Sequence, residues 1–285
     1  MKIGLVLEGG ALRGLYTAGV LDTLMDNHID IDAIIGTSAG ALFGVNYFSN
    51  QRGRVLRYNK KYCNDIRYIS KLSLLLTGNI VNKYFAYYKI STKLDIFNND
   101  KFKETNKDFY ATVTNVETGK AEYIKIVDPI KQMEVLRASS AMPLVTKIVK
   151  INDNKYLDGA IADSIPIDKF LNENYDKIIV VLTQPIDYKK KELTEKQLKI
   201  IKKVYKKYPL LIERMINRPN EYNKMTERII ELEKKKKIFV IRPSSKLNID
   251  ISNKTEEDIE RVYDVGVKDC RKVIEDLKKY LKRGL

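Results

Sequence analysis

The chain has 285 residues, of which 44% are hydrophobic and 31% charged, and a net charge of +15. That size suits one α/β domain with an appendage or two small domains, and the apolar share excludes bulk disorder. No apolar run approaches the roughly 20 residues of a membrane span. The stretch between Lys2 and Glu8 is too short for a signal-peptide core, so a cytoplasmic protein is expected.

In chain order, residues 3–7 form a short apolar run, the pattern of a buried strand. A glycine-rich turn covers 8–14. Residues 15–25 then repeat apolar side chains at helical spacing (Leu15, Ala18, Leu21, Leu24 and Met25). A second strand is expected over 33–35 and a second helix over 39–48. The stretch 54–99 is polar and aromatic, with six tyrosines between Tyr58 and Tyr88. It is expected to be helical and to cap a site. Within it, residues 72–76 are an apolar run the length of a core segment.

Residues 109–114 and 121–126 flank Glu117-Thr118-Gly119 as a hairpin, and 148–151 and 155–157 flank Asn152-Asp153-Asn154 as another. Residues 178–182 and 239–241 are further buried strands. Strands buried on both faces and separated by helices predict an α/β fold, with a mostly parallel central sheet flanked by helices. Residues 1–185 form the expected catalytic domain. Residues 186–285 form a basic, Lys-rich helical extension with a strand near 238–242.

The chemistry concentrates in three short motifs. Gly36-Thr37-Ser38-Ala39-Gly40 lies between a strand and a helix, the setting of a nucleophile elbow. Gly36 and Gly40 remove side chains that would clash in so sharp a turn, and Ser38 is left at a helix N-terminus that favours developing negative charge. A Gly/Ser helix cap without chemistry fits the same five residues, so context decides. Gly9-Gly10-Ala11-Leu12-Arg13-Gly14 follows the first strand. Its small residues let backbone amides face inward as an anion nest. It fits neither a dinucleotide fingerprint, which needs glycine where Ala11 stands, nor a phosphate loop, which needs Lys and Ser/Thr after Gly14.

A serine hydroxyl needs a base. The one histidine, His28, is placed in the turn before the second strand, on the order of 13 Å from the elbow at that strand's other end. That leaves a carboxylate. Asp158, in Asp158-Gly159-Ala160, has small neighbours that admit a close approach. An aspartate titrating near about 3.9 is a weak base, so a dry environment around Asp158 is expected.

Together the three motifs, with residues 136–143, resemble the patatin-like phospholipases, and most of all uncharacterised bacterial members. The resemblance covers roughly residues 1–185. It implies a patatin-like three-layer sandwich and a serine lipid acyl hydrolase (phospholipase, lysophospholipase or esterase) working through an acyl-enzyme. Ser38 would be the nucleophile and Asp158 the proton acceptor. Gly9, Gly10 and Ala11 would build the oxyanion hole with Arg13 beside it, supported by Gly14, Gly36, Gly40 and Gly159. The substrate would be a lipid or other acyl ester, with no cofactor and no metal. Ala11 stands where the family usually has a third glycine. If that position has positive φ, strain of roughly 1 kcal/mol follows, and a weak or silent lipid-binding member is the alternative, as are acyl transfer and thioester hydrolysis.

Elsewhere, Cys63 and Cys270 have no metal or redox spacing and are expected as free thiols. Residues 189–207 set Leu193, Ile200, Ile201, Val204, Tyr205 and Tyr208 among lysines. As a helix this is either a peripheral contact with an anionic membrane surface or a packing helix with a solvated basic face. Lys234 to Lys237 fit a solvated helix end. No nucleic-acid motif accompanies the positive charge, and the oligomeric state is open.

Overall fold

The computed structural model describes residues 1–251 and 253–282. Among these residues eight strands form one sheet: β1 (Ile3–Leu7), β2 (Ala33–Thr37), β3 (Asp108–Asn115), β4 (Ala121–Lys125), β5 (Val149–Ile151), β6 (Asn154–Asp158), β7 (Lys177–Val181) and β8 (Phe239–Ile241). β3, β2, β1, β7 and β8 lie side by side and parallel, while β4, β5 and β6 join antiparallel at the β3 end. The helices are α1 (Gly14–Asp26), α2 (Ala39–Phe48), α3 (Arg54–Tyr62), α4 (Lys71–Thr77), a π-helix (Lys83–Leu94), α5 (Asn99–Glu104), α6 (Met133–Ser139), α7 (Ile167–Leu171), α8 (Glu195–Val204), α9 (Pro209–Lys234) and α10 (Glu256–Lys282).

Strand side chains alternate between two cores. Leu5, Leu7, Ile34, Ile179 and Val181 pack in a core with side chains of α1, α2 and α10. Val6, Ala33, Ile35, Ile178 and Val180 pack on the other face with Phe170 of α7 and with Tyr222 and Ile229 of α9. Two buried faces are the reason the central strands are apolar throughout rather than alternating. The result is an α/β fold of three layers with a mostly parallel sheet.

The C-terminal third contributes to each layer. β8 extends the sheet beyond β7. α10 repeats Ile259, Val262, Gly266, Cys270, Ile274 and Leu277 along one buried face. It meets α1 backbone to backbone: a Cβ on Gly266 would lie 2.1 Å from the Tyr16 carbonyl oxygen, and one on Gly19 would lie 2.2 Å from that of Tyr263.

Two expectations need correction. Residues 189–194 are irregular, so Leu193 lies off the helix, and α8 starts only at Glu195, capped by Thr194. Ile201 and Tyr205 turn inward and are buried, whereas Ile200 and Val204 remain outside. The 72–76 run is not core. Helix α4 buries only Ser73, and Leu72, Leu75 and Leu76 are 45%, 81% and 73% exposed.

Candidate active site

β3 is longer than β2, and the site follows from what occupies the rest of its edge. β2 pairs with β3 from Ala33 opposite Asp108 to Thr37 opposite Thr112. β6 takes over the same edge at the next residue, pairing Asp158 with Val113, while β4 holds the opposite edge. β2 runs with β3 and β6 runs against it, so the two strands approach head-on. Ser38 is the first residue beyond β2 and Asp158 is the last of β6. Both are buried, and Ser38 Oγ donates to Asp158 Oδ2 at 2.8 Å.

Ser38 sits at φ 56°, ψ −122°, a conformation that costs a non-glycine residue on the order of 1–3 kcal/mol. The surroundings over-determine it. Its carbonyl accepts from the Ala41 and Leu42 amides at 3.0 and 3.1 Å, which starts α2. Its own amide donates to Ser139 Oγ at 2.9 Å. A Cβ on Gly36 would be 2.6 Å from the Ala41 nitrogen, and one on Gly40 would be 2.5 Å from the Leu7 carbonyl oxygen. Ser139, on α6, was not singled out from the sequence as a site residue.

Asp158 is held through both oxygens. Oδ1 accepts from the Ala160 amide at 2.8 Å and Oδ2 from Ser38. Burial pushes the carboxyl up from the ordinary range, against the pull of that amide, of Arg218 and of Ser38. The direction agrees with the dry environment expected. Gly159 lets the chain leave the sheet here, since a Cβ would be 2.2 Å from the Thr112 carbonyl oxygen.

The glycine-rich loop passes over the elbow. A Cβ on Gly9 would lie 3.0 Å from Ser38 Cβ, one on Gly10 2.6 Å from Thr183 Oγ1, and one on Gly14 2.7 Å from Ala39 Cβ. Ala11 has φ 48°. Among the described residues, the amides of Gly10, Ala11 and Ala39 donate to no protein acceptor. His28 is exposed in the turn after α1, at the end of β2 away from Ser38.

Two pockets meet at Ser38. The first is apolar and is lined by Leu42, Phe43, Tyr68, Val81, Ile90 and Leu136, so the helical 54–99 stretch does cover the serine. The second is polar and contains Arg13, Asp158, Gln184, Lys190, Arg218 and Tyr222. Lys190 and Arg218 were missed from the sequence because no motif surrounds either. Burial and the nearby Arg218 push the Lys190 ammonium down to about 8. Cys63 and Cys270 are buried free thiols. Among the described residues, no group of three or more His, Cys, Asp or Glu is arranged to hold a metal, and no helix is long and apolar enough to cross a membrane.

A family model described as patatin-like phospholipase matches residues 5–171, and a model described as a domain of unknown function, DUF6363, matches 208–282. The chain is 29% identical over 190 residues to the uncharacterized protein YjjU of Escherichia coli (strain K12), covering 65% of this chain and 52% of that one. It is 28% identical over 209 residues to the probable lipid hydrolase 463L of Invertebrate iridescent virus 6, covering 65% and 71%. It is 27% identical over 188 residues to lysophospholipase nte1 of Aspergillus niger, covering 65% and 12%. The match thus spans about half the length of the bacterial relative and about an eighth of the fungal one. Among solved structures, VipD from Legionella pneumophila superposes with a TM-score of 0.48 at 12% identity, covering 96% of this chain and 67% of that one. With its model spanning more than half of the sequence, the chain belongs to the patatin-like phospholipase family.

Proposed function

We propose that this protein is a serine lipid acyl hydrolase in which Ser38 attacks an acyl ester and Asp158 carries the proton. The observation behind the reading is the 2.8 Å hydrogen bond between Ser38 Oγ and Asp158 Oδ2, made where an apolar and a polar pocket meet. As Ser38 Oγ bonds to the ester carbonyl carbon, its proton passes to Asp158. The carbonyl oxygen becomes an oxyanion facing the unpaired amides of Gly10, Ala11 and Ala39. Collapse breaks the ester bond, and the departing alcohol takes the proton from Asp158. Water then gives a proton to Asp158 and attacks the acyl-enzyme, which releases the fatty acid and returns the proton to Ser38.

Three features support this assignment. Burial strengthens Asp158 as a base. The apolar pocket suits an acyl chain. The exposed leucines of α4, beside pocket residues Tyr68 and Ile69, give a lipid surface something to meet.

Labelling with a fluorophosphonate probe, followed by peptide mapping, tests the reading. An adduct at Ser38, absent in Ser38→Ala, and ester hydrolysis that survives His28→Ala are expected. An unlabelled Ser38, or turnover that persists in Ser38→Ala, would exclude it.

A further inference from the structure

The polar pocket beside Ser38 holds more positive charge than the chain neutralises. Arg13 enters from the glycine-rich loop, Lys190 from the segment after β7, and Arg218 from α9. Among the described residues none of these side chains makes a hydrogen bond or salt bridge. Arg13 Nε and Arg218 Nε are buried without a partner. Lys190 Nζ has only ring faces, 4.4 Å from the Tyr222 centroid and 6.0 Å from that of Tyr188. The two carboxylates of the pocket attract Lys190 and Arg218 through space but accept their hydrogen bonds from neutral donors. Glu8 accepts from the Tyr222 hydroxyl at 2.7 Å and the Thr183 amide at 2.6 Å, and Asp158 accepts from Ser38 and Ala160.

Buried guanidinium donors are costly when unmet, and folded proteins almost always pair them. The backbone that carries Lys190 is also held in place. Asn223 of α9 clamps the Lys190 backbone from both sides, accepting from its amide at 2.8 Å and donating to its carbonyl at 3.0 Å. A guanidinium fork matches two oxygens of a phosphate, and an ammonium adds a point charge beside it. Gln184 Oε1, also buried and unpartnered, offers an acceptor for a hydroxyl next to that phosphate.

We propose that Arg13, Lys190 and Arg218 form a phosphate subsite for the alcohol half of the substrate. The ester at Ser38 then lies between an acyl chain in the apolar pocket and a phosphate in the polar one. The inference rests on the acyl-hydrolase reading for the placement of that ester. Lys190 and Arg218 lie beyond residues 5–171, so the segment outside the patatin-like match sets headgroup preference.

The test measures binding without turnover, by calorimetry on the full chain carrying Ser38→Ala. The ligands are a short-chain lysophosphatidate, the monoacylglycerol of the same chain, and glycerol 3-phosphate. Lysophosphatidate is expected to bind at least about tenfold more tightly than the monoacylglycerol. Adding Arg218→Gln or Lys190→Met should each cut that ratio roughly tenfold, the scale of one lost charge-assisted contact. Arg218→Lys should retain part of it. The monoacylglycerol affinity of each variant reports whether the apolar pocket remains folded.

Glycerol 3-phosphate binding more weakly than lysophosphatidate would support a lipid headgroup as the source of the phosphate. Equal binding would support the same subsite serving a soluble phosphate. A ratio near one before the added substitutions, or one unchanged by both, would overturn the proposal. A chain that shows the ratio yet never labels at Ser38 would sink the hydrolase reading alone, and the reverse result would sink only this one.

Discussion

Tyr222 of α9 donates a 2.7 Å hydrogen bond to Glu8 Oε1 across 214 residues of sequence. The other oxygen of Glu8 takes the Thr183 amide at 2.6 Å. One buried carboxylate therefore ties the start of the glycine-rich loop to the end of β7 and to the C-terminal helices. Burial and the adjacent Glu8 push the Tyr222 hydroxyl above its ordinary range, which favours its role as donor. The loop that lies against Ser38 depends on a residue outside the patatin-like match for its footing.

Tyr222→Phe should accordingly destabilise the fold by about 2 kcal/mol, because it leaves a buried carboxylate oxygen short of a donor. Urea unfolding measures this. Combining it with Glu8→Gln in a double-mutant cycle should show coupling of about 1 kcal/mol or more. Additive effects would mean that the hydrogen bond contributes nothing beyond packing.

Asp158→Asn should lower kcat/KM by about 10²–10⁴-fold, the range for loss of a general base, while the chain stays folded. The carboxyl of Asp158 is raised in the fold by burial. Its neutral form is therefore favoured there, and its ionisation opposes folding. That cost is absent in acid, where the group is protonated in both states. It grows as pH rises from the unfolded pKa to the folded one. The variant should thus gain stability relative to the native chain as pH rises, and native turnover should rise with pH through the same group. A native rate independent of pH on the acid side would remove Asp158 as the base.

The pairing of Ser38 with Asp158 was legible because each motif's glycines mark backbone contacts. A side chain at Gly36, Gly40 or Gly159 would come within 2.6 Å of backbone atoms. β1, β2 and β7 were legible because burial on both faces leaves an unbroken apolar run. The polar pocket was not. Lys190 lies in irregular chain and Arg218 in the middle of α9, and only the packing of α9 against the second face of the sheet brings them to Ser38. The leucines of α4 misled for a related reason: an apolar run does not say whether its helix has a neighbour to pack against.

Those leucines carry the third prediction. Leu75 and Leu76 are 81% and 73% exposed, with Lys71 exposed at the start of the same short helix, in a chain of net charge +15. Replacing both with serine should weaken binding to anionic vesicles by roughly tenfold or more, since each leucine contributes about 1.5–3 kcal/mol when fully buried. Sedimentation with vesicles measures it. Equal binding by the variant would show that the α4 leucines make no contact with the vesicle.

Ala11 holds φ 48°, where a residue with a Cβ carries strain of about 1–2 kcal/mol. Glycine relieves that but adds unfolded-state entropy worth about 0.5–1 kcal/mol. Ala11→Gly should therefore stabilise the chain by roughly 0.5–1 kcal/mol in thermal unfolding. A loss of stability would show that the alanine methyl packs usefully in its pocket.

Glu134 of α6 anchors the π-helix that covers the apolar pocket. Tyr88 donates to it at 2.5 Å, Lys83 pairs with it at 3.1 Å, and Arg137 donates at 2.6 Å. Burial raises its carboxyl, but the hydrogen bonds from Arg137 and Tyr88 outweigh that and hold the pKa at about 2, against an ordinary 4.5. A depressed folded pKa contributes stability that is complete above the unfolded value and is lost as pH falls toward the folded one. With the side chain 29% exposed, screening reduces the contribution to on the order of 2 kcal/mol. Glu134→Gln should be less stable than the native chain by about that amount near neutral pH, with faster hydrogen exchange in residues 83–94. The gap should close as pH falls from about 4.5 toward about 2. Two stability curves that stay parallel across that window would show that the charge on Glu134 is not what holds the helix down.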